Sequence, residues 1–219
     1  MQNKSQRLVI TTAIILVAII LGLIVYSQVA TGSKGPSAKG ELDYSNHPVW
    51  GNPEAAVKVA MFEDFLCPHC AEYTDAVLPR LKQDYADNDK VAFYFYNYPL
   101  TANFGPNSLT TAISSKCVYQ QSNDGFWDYK AALMRAQKQI TYTTSELVKI
   151  ATDIVPDIDA GALRSCIEEK KTEGLVEEDL LNGVAVGVTG TPSIFINGVK
   201  TQSYAYETVK AAIEAALAE

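Results

Sequence analysis

Residues 57–70 read VKVAMFEDFLCPHC, an apolar run that ends in Cys67-Pro68-His69-Cys70. Two cysteines with two residues between them can close a disulfide across the first turn of a helix. A thiol at that position lies beside unpaired backbone N–H groups and the positive end of the helix dipole, which favour a thiolate at Cys67. Pro68 suits the first helical position, where no N–H is needed. The stretch predicts a redox-active disulfide between Cys67 and Cys70.

Other uses of such a cysteine pair fit the sequence less well. A zinc site needs a second pair of ligands at close spacing, and the remaining candidates stand singly: Cys117, Cys166, His47 and His69. Covalent haem attachment needs a histidine where Ala71 stands. A purely structural disulfide over so short a loop would constrain the unfolded chain very little. We therefore predict thiol–disulfide exchange without a metal or a cofactor.

The amino-terminal part of the chain carries a long apolar run. Residues 8–26 read LVITTAIILVAIILGLIVY and contain no charge. At about 1.5 Å per residue the run reaches ~28 Å, enough to cross a bilayer core. Lys4 and Arg7 precede it, which favours a cytoplasmic position for residues 1–7. We predict a single transmembrane helix that acts as a signal anchor.

A cleaved signal peptide is the competing interpretation of the same run. The run is long for the apolar region of a signal peptide, and Ala30 has Gln28 two positions before it where a small residue is required. We favour the uncleaved anchor. Residues 27–46 follow as a flexible linker rich in glycine and serine, and residues 47–219 form the folded domain.

The folded part of the chain is acidic. The whole chain has a net charge of −7, and four of its 18 basic residues precede Glu41. The remainder therefore has 14 basic and 25 acidic residues, a net charge of −11. An acidic surface repels phosphate groups, so we expect no nucleic-acid partner. We expect a soluble, monomeric domain.

The cysteines all lie after the apolar run, as expected for a domain exported to an oxidising compartment. Cys117 and Cys166 stand in two separate helix-like segments. We predict a structural disulfide between them, with two free buried thiols or a second redox relay as the alternatives.

The order of predicted elements gives the fold class. A buried strand at 57–62, a helix at 68–85 that Pro79 kinks or splits, and a strand at 91–96 form a βαβ unit with parallel strands. Five helical segments follow, near 107–121, 124–138, 144–154, 159–171 and 173–186. A strand at 193–196, a turn at Asn197-Gly198 and a helix at 206–217 close the chain. We predict a thioredoxin-like α/β fold with a helical insertion at about 105–187.

Three motifs make this pattern specific: FEDFLCPHC at 62–70, YFYNYPL at 94–100 and VTGTPSIFING at 188–198. With them the chain resembles the DsbA family of thiol:disulfide oxidoreductases, in particular membrane-anchored bacterial members. The resemblance covers about residues 47–219. It implies that Cys67 is the nucleophile, that Cys70 is the resolving thiol and that Pro192 is a cis-proline facing them.

The same resemblance assigns roles to the neighbours of the cysteines. A cis bond at Pro192 would present the backbone of Thr191 for strand-like pairing with a substrate, and the Thr191 hydroxyl could tune Cys67. His69 would support the thiolate by a hydrogen bond or a positive charge, with a solvated side chain as the alternative. We expect most of the aromatic side chains to lie in the core: Tyr94, Tyr96, Tyr98, Phe104 and Trp127.

One position departs from the family pattern. Many relatives have a buried acidic residue six positions before the first cysteine, where this chain has Met61. Glu63 and Asp64 lie nearer to Cys67, but alternation along a strand turns at least one of them elsewhere. The sequence does not indicate which acid, if either, handles protons.

We therefore predict an extracytoplasmic, single-pass membrane protein that introduces disulfides into unfolded exported proteins with free cysteines. The resemblance implies a quinone-linked membrane reoxidase, DsbB-like or VKOR-like, as the partner that removes the electrons. A reductase or isomerase of the same fold is the nearest alternative, because reduction potential is barely encoded in sequence. A redox-inert binding or chaperone module and a metallochaperone are further alternatives.

Overall fold

The computed structural model describes residues 42–85 and 89–219. The predicted anchor at residues 8–26 and most of the predicted linker lie outside these ranges. Within them, no helix has both the length and the apolar character that a membrane span requires.

The centre of the domain is a mixed sheet. Its strands are β1 (Val49–Gly51), β2 (Val57–Glu63), β3 (Val91–Asn97), β4 (Ser193–Ile196) and β5 (Val199–Lys200), in the spatial order β1-β3-β2-β4-β5. The pair β2–β3 is parallel, whereas the other three pairs are antiparallel. The two parallel strands are those of the predicted βαβ unit.

Helices of the described ranges cover the sheet. In chain order they are α1 (Pro68–Glu72), α2 (Leu78–Asp84), α3 (Thr101–Phe104), α4 (Asn107–Tyr119), α5 (Asn123–Arg135), α6 (Thr144–Ile154), α7 (Ala160–Glu168), α8 (Glu173–Ala185) and α9 (Tyr206–Leu217). Helices α4 to α8 lie within the predicted insertion, and α3 directly precedes it. The predicted thioredoxin-like α/β fold with a helical insertion is confirmed.

The helix predicted over 68–85 is interrupted before Pro79. A π-helical segment, Tyr73–Val77, separates α1 from α2. Pro79 has no N–H to donate, and its ring would clash with the carbonyl four residues earlier in an unbroken α-helix. The wider π turn accommodates the missing N–H and the proline ring, and the helix continues beyond it in the same direction.

The two faces of β2 pack into different halves of the core. Val57, Val59 and Met61 face a large cluster that includes α1, α2 and the insertion. Ala60 and Phe62 face a smaller cluster on the other side of the sheet. Every residue of β2 except Lys58 is buried, as expected for a central strand covered on both faces.

The predicted aromatic core is largely as expected. Tyr94, Tyr96, Tyr98 and Trp127 are buried, and Phe104 is partly buried against the larger cluster. The ring of Phe62 stacks on Tyr96 at a centroid distance of 4.6 Å.

The insertion is held together by a covalent link. Cys117 in α4 and Cys166 in α7 form a disulfide with an S–S distance of 2.00 Å and a Cα–Cα distance of 6.0 Å. Cys117 also lies 3.5 Å from the hydroxyl of Thr172, which donates to the carbonyl of Ile113. Together these contacts tie three helical segments of the insertion to one another.

Local details of the fold differ from the sequence patterns. The short elements β1 and α3 were not predicted, because three or four residues carry too little periodicity. Helix α5 ends at Arg135, three residues earlier than expected, and Lys138 follows with a left-handed φ of 65°. Leu42 and Tyr44, assigned to the linker, pack against the smaller cluster because their side chains are apolar.

Candidate active site

The cysteine motif lies where β2 ends and α1 begins. Cys67 is the N-cap residue of α1, and its backbone is extended, with φ −75° and ψ 120°. Its carbonyl accepts hydrogen bonds from the N–H groups of Cys70 (3.1 Å) and Ala71 (3.2 Å). Pro68 occupies the first helical position. Both cysteines are free thiols and both are buried.

The two thiols differ sharply in acidity. The pKa of Cys67 is lowered to about 5, first by a hydrogen bond from the Cys70 thiol and further by Thr191 and by the backbone N–H groups of Cys70 and His69. These donors outweigh the opposing effect of burial. The pKa of Cys70 is raised well above its ordinary value, chiefly by burial. Its hydrogen bond to Cys67 and the charge of Glu63 act in the same direction. The geometry therefore places the stable thiolate on Cys67.

The segment before β4 faces Cys67. The Thr191–Pro192 peptide bond is cis, and the Cys67 Sγ donates to the Thr191 carbonyl at 3.3 Å. The sequence predicted a contact between Cys67 and the Thr191 hydroxyl, but the Cys67 thiol contacts the Thr191 carbonyl instead. The Thr191 hydroxyl oxygen is buried and has no hydrogen-bond partner within the described ranges, which leaves it able to donate to a thiolate. Ser193 Oγ donates to the Gly190 carbonyl at 2.7 Å and steadies this turn.

A surface cavity lies next to the cis bond between Thr191 and Pro192. Its volume is about 330 Å³, and it is lined by residues 189–194 and 200–204. Thr191 and Pro192 form one wall, so the cavity lies beside Cys67. A peptide held there would have exposed backbone of the cis turn available for pairing.

The His69 side chain is exposed and contacts Tyr204 and Glu72. It is 66% exposed, and its Nδ1 lies 3.0 Å from the hydroxyl of Tyr204 and 3.6 Å from Glu72 Oε2. What His69 contributes directly to Cys67 is its backbone N–H. Tyr204 was not identified from the sequence, since it stands 135 positions after His69 in an irregular segment.

A buried ion pair lies beneath the dithiol. Glu63 Oε1 lies 3.1 Å from Lys130 Nζ, and both side chains are almost fully buried. Thr74 Oγ1 links them, accepting from Lys130 Nζ (2.7 Å) and donating to Glu63 Oε2 (3.4 Å). Burial raises the pKa of the Glu63 carboxyl, and Lys130 opposes that rise. The sequence analysis left the choice between Glu63 and Asp64 open; the signal that could have singled out Glu63 is strand alternation, which puts it on the same face of β2 as Met61.

Asp64 faces the insertion. Its Oδ1 accepts from Leu66 N (2.7 Å) and Ser108 Oγ (3.2 Å), and its Oδ2 accepts from Leu100 N (2.6 Å). Burial raises the pKa of the Asp64 carboxyl against these hydrogen bonds. Glu63 is coupled electrostatically to both cysteines: its charge raises the pKa of Cys70, and the charge of Cys67 raises the pKa of the Glu63 carboxyl. Met61 is fully buried, and its sulfur accepts from the Tyr73 hydroxyl at 3.5 Å.

The arrangement has the parts of a dithiol redox centre: an acidic first thiol, a buried second thiol and a cis-proline turn beside them. Within residues 42–85 and 89–219 no cluster of histidine, cysteine, aspartate or glutamate could hold a metal ion.

Comparisons with known proteins agree with this chemistry. A family model described as thioredoxin matches residues 44–215. Probable disulfide bond formation protein D of Bacillus anthracis is 34% identical over 199 residues, which cover 90% of this chain and 89% of the relative. The chain belongs to the DsbA family of thiol:disulfide oxidoreductases.

Solved structures of DsbA-family proteins show the same architecture. BdbD from Bacillus subtilis, in its oxidised form, superimposes with a TM-score of 0.76 at 27% identity, covering 82% of this chain and 97% of that one. DsbA from Chlamydia trachomatis reaches a TM-score of 0.70 at 19% identity, covering 80% of this chain and 94% of that one, a likeness of fold alone. This DsbA-family chain is accordingly a protein thiol:disulfide oxidoreductase.

Proposed function

We propose that this enzyme donates disulfides to unfolded exported proteins, using Cys67 as the reactive sulfur and Cys70 as its partner. The observation that carries the proposal is the contrast between the two thiols, with the pKa of Cys67 lowered to about 5 and that of Cys70 raised. A stabilised Cys67 thiolate favours the reduced enzyme over its disulfide. The oxidised enzyme is therefore a strong acceptor of two electrons.

The reaction proceeds by two exchanges. A substrate thiolate attacks Cys67 Sγ of the Cys67–Cys70 disulfide, forms a mixed disulfide and releases Cys70 as a thiolate, which takes up a proton because its pKa is raised. A second substrate thiolate then attacks the substrate sulfur of the mixed disulfide and releases Cys67 as a thiolate. The substrate gains a disulfide and loses two electrons, which the enzyme dithiol holds.

Glu63 is proposed as the group that exchanges the proton with Cys70. Its burial raises the pKa of its carboxyl, and its charge raises the pKa of Cys70. Proton transfer from Glu63 to the departing Cys70 thiolate would leave a carboxylate that Lys130 stabilises at 3.1 Å. This role takes the place that Met61 leaves vacant in the family pattern.

Thr191 and Pro192 are proposed to receive the substrate. The turn offers backbone groups beside Cys67, while Pro192 has no N–H and so limits strand pairing on that side. Pro68 and His69 are proposed to act mainly through the geometry of the first helical turn. The disulfide between Cys117 and Cys166 is proposed to be structural, because it fastens the insertion.

We further propose an extracytoplasmic position, with residues 8–26 as a membrane anchor and residues 1–7 on the cytoplasmic side. The names of relatives such as disulfide bond formation protein D of Bacillus subtilis, 27% identical over 186 residues, support a role in disulfide formation. A quinone-linked membrane reoxidase is the proposed acceptor of the electrons from Cys67 and Cys70.

Disulfide transfer to a reduced, unfolded protein tests this function. We expect the oxidised enzyme to deliver one disulfide per molecule, Cys67→Ser to deliver none, and Cys70→Ser to take part in a mixed disulfide through Cys67. Thiol trapping in cells measures the redox state of the Cys67/Cys70 pair and so shows in which direction the enzyme works. A Cys67/Cys70 pair that is mostly oxidised supports disulfide donation, whereas a mostly reduced pair would make the enzyme a reductase or isomerase.

A further inference from the structure

A glutamine of the insertion contacts residues 64–67, the loop between β2 and α1 that ends in Cys67 and is called the redox loop below. Gln137 lies in the turn just after α5. Its Nε2 donates to the Phe65 carbonyl at 2.6 Å and to the Cys67 carbonyl at 3.0 Å. The two acceptors lie on either side of Leu66, so one amide group spans the last turn of chain before α1.

The chemistry of the acceptors fixes the orientation of this amide. Backbone carbonyl oxygens accept hydrogen bonds and cannot donate them, so the nitrogen of Gln137 must face both. Each of its two N–H bonds is then engaged. The Met134 sulfur lies 3.8 Å from the same nitrogen and packs beside it. Gln137 is partly buried, which protects these hydrogen bonds from competition by water.

Groups from outside the redox loop hold both of its ends. Asp64 receives the Leu100 N–H and the Ser108 hydroxyl at the start of the loop. Gln137 holds the end of the loop through its hydrogen bond to the Cys67 carbonyl. The loop is therefore fixed from outside as well as by α1.

The position of the Cys67 backbone matters for its acidity. The N–H groups of His69 and Cys70 reach the Cys67 sulfur only when Cys67 keeps its N-cap conformation. A hydrogen bond to the Cys67 carbonyl helps to fix that conformation, and Gln137 Nε2 donates such a bond at 3.0 Å. A looser loop would let the sulfur drift from these donors, and each donor weakens as its geometry departs from linear.

We propose that Gln137 is a positioning residue for the redox reaction, holding Cys67 where the first turn of α1 stabilises its thiolate. The inference rests on the proposed role of Cys67 as the reactive sulfur. It links the helical insertion to the oxidising strength of the enzyme, through a contact 70 positions along the chain from Cys67.

The test is the pH dependence of Cys67 alkylation in the full chain. Gln137→Met keeps the length of the side chain and removes both donors. We expect the pKa of Cys67 to rise by about 0.5–1 unit, the size of one neutral hydrogen bond, and the redox equilibrium with glutathione to shift about 3- to 10-fold toward a weaker oxidant. Gln139→Met is the matched control in the same turn: the Gln139 amide donates to the Arg135 carbonyl at the end of α5, and among the described residues no hydrogen bond joins it to the redox loop. We expect this variant to leave both quantities unchanged.

A second variant separates positioning from simple support of the fold. Gln137→Glu turns a carboxylate toward two carbonyl oxygens and adds a negative charge near Cys67, so it should raise the pKa of Cys67 further than Gln137→Met. Loss of stability in both variants with an unchanged pKa of Cys67 would overturn the proposal. If Cys67 of the unaltered enzyme failed to titrate as an acidic thiol, the proposed function itself would fail, a result distinct from a failure of the Gln137 variants.

Discussion

At the scale of single residues, the acidity of Cys67 makes the stability of the reduced enzyme depend on pH. A thiol whose folded pKa is about 5 and whose unfolded pKa is about 8.5 stabilises the fold fully above the unfolded value. That stability is lost as the pH falls toward the folded value, with a slope approaching about 1.4 kcal/mol per pH unit. Urea unfolding of the reduced enzyme at several pH values between the two pKa values should show it.

Cys67→Ala provides the reference for that measurement. Other groups, including Glu63 and Asp64, also titrate on acidification, so the contribution of Cys67 is the difference in slope between the two proteins. Equal slopes would show that the folded Cys67 thiol is not acidic.

The buried pair of Glu63 and Lys130 predicts a compensating double variant. Glu63→Gln leaves the Lys130 charge buried without its partner and should cost roughly 3–5 kcal/mol of stability. Adding Lys130→Met removes that charge and should restore most of the loss, because apolar replacement of a buried pair is often neutral. Equilibrium unfolding in urea compares the three proteins. If the double variant were as unstable as Glu63→Gln, the loss of stability would not come from the unpaired charge of Lys130.

The redox residues could be identified from sequence because their signal is local: two cysteines, a proline and a strand stand within a few positions. Their partners could not. Lys130 lies 67 positions after Glu63, and Gln137 lies 70 positions after Cys67. The sequence around Lys130 and Gln137 does not show that these side chains lie close to the dithiol. Their position depends on how α5 packs on the sheet.

At the scale of secondary-structure elements, α8 approaches the sheet closely through a glycine. A Cβ at Gly183 would lie 2.6 Å from two ring carbons of Tyr98 and 3.1 Å from the ring of Phe62. Gly183→Ala should therefore destabilise the protein by about 1–3 kcal/mol, more than the roughly 1 kcal/mol that alanine contributes to a helix. Thermal and urea unfolding measure the change.

Gly174→Ala is the matched control on the same helix. A Cβ at Gly174 meets no atom within 4 Å, so the substitution should be neutral or stabilise by up to about 1 kcal/mol. Equal effects at positions 174 and 183 would contradict the close approach of α8 to Tyr98.

Long periodic elements were predictable and short or interrupted ones were not. The break signals around it gave α4 to within two residues, and the amphipathic pattern gave the bounds of α9. The π-helical segment Tyr73–Val77 could not be foreseen, since Pro79 predicts a break and not the form that the break takes. Strand β1 depends on pairing with β3, a contact 45 positions away at Val49 and Tyr94.

At the scale of the whole molecule, the disulfide between Cys117 and Cys166 closes a loop with a sequence separation of 49. The chain-entropy estimate for such a loop is about 4 kcal/mol. The double variant Cys117→Ala, Cys166→Ala should therefore unfold at lower urea concentration, with a loss of roughly 2–4 kcal/mol.

Disulfide transfer by the same double variant should remain normal where it is still folded. Among the described residues no hydrogen bond joins Cys117 or Cys166 to the redox thiols. Transfer that failed in the folded variant would assign this disulfide a part in the reaction.

The overall architecture could be predicted from the order of the elements, because a βαβ unit followed by a closing strand, turn and helix restricts the possible sheets. The position of the domain boundary did not follow, since the glycine-rich composition of the linker ends gradually. Leu42 is buried in the smaller core cluster, and Tyr44 contacts the ring of Tyr94 at a centroid distance of 4.8 Å.

The segment just before β1 is fastened by a buried charge network. His47 Nε2 lies 2.8 Å from Asp179 Oδ1 in α8, and Lys116 Nζ lies 3.0 Å from the same oxygen. The other oxygen, Oδ2, accepts from the backbone and side-chain nitrogens of Asn97. One carboxylate thus gathers four donors from three separate parts of the chain.

This network sets where the protein can be shortened. A soluble fragment that begins after His47 would leave Asp179 and Lys116 with a missing partner and would expose the pocket that Leu42 fills. For expression without the apolar run, residue 42 is therefore the latest sound starting point. A fusion partner or affinity tag attached upstream of Leu42 leaves the packed segment whole.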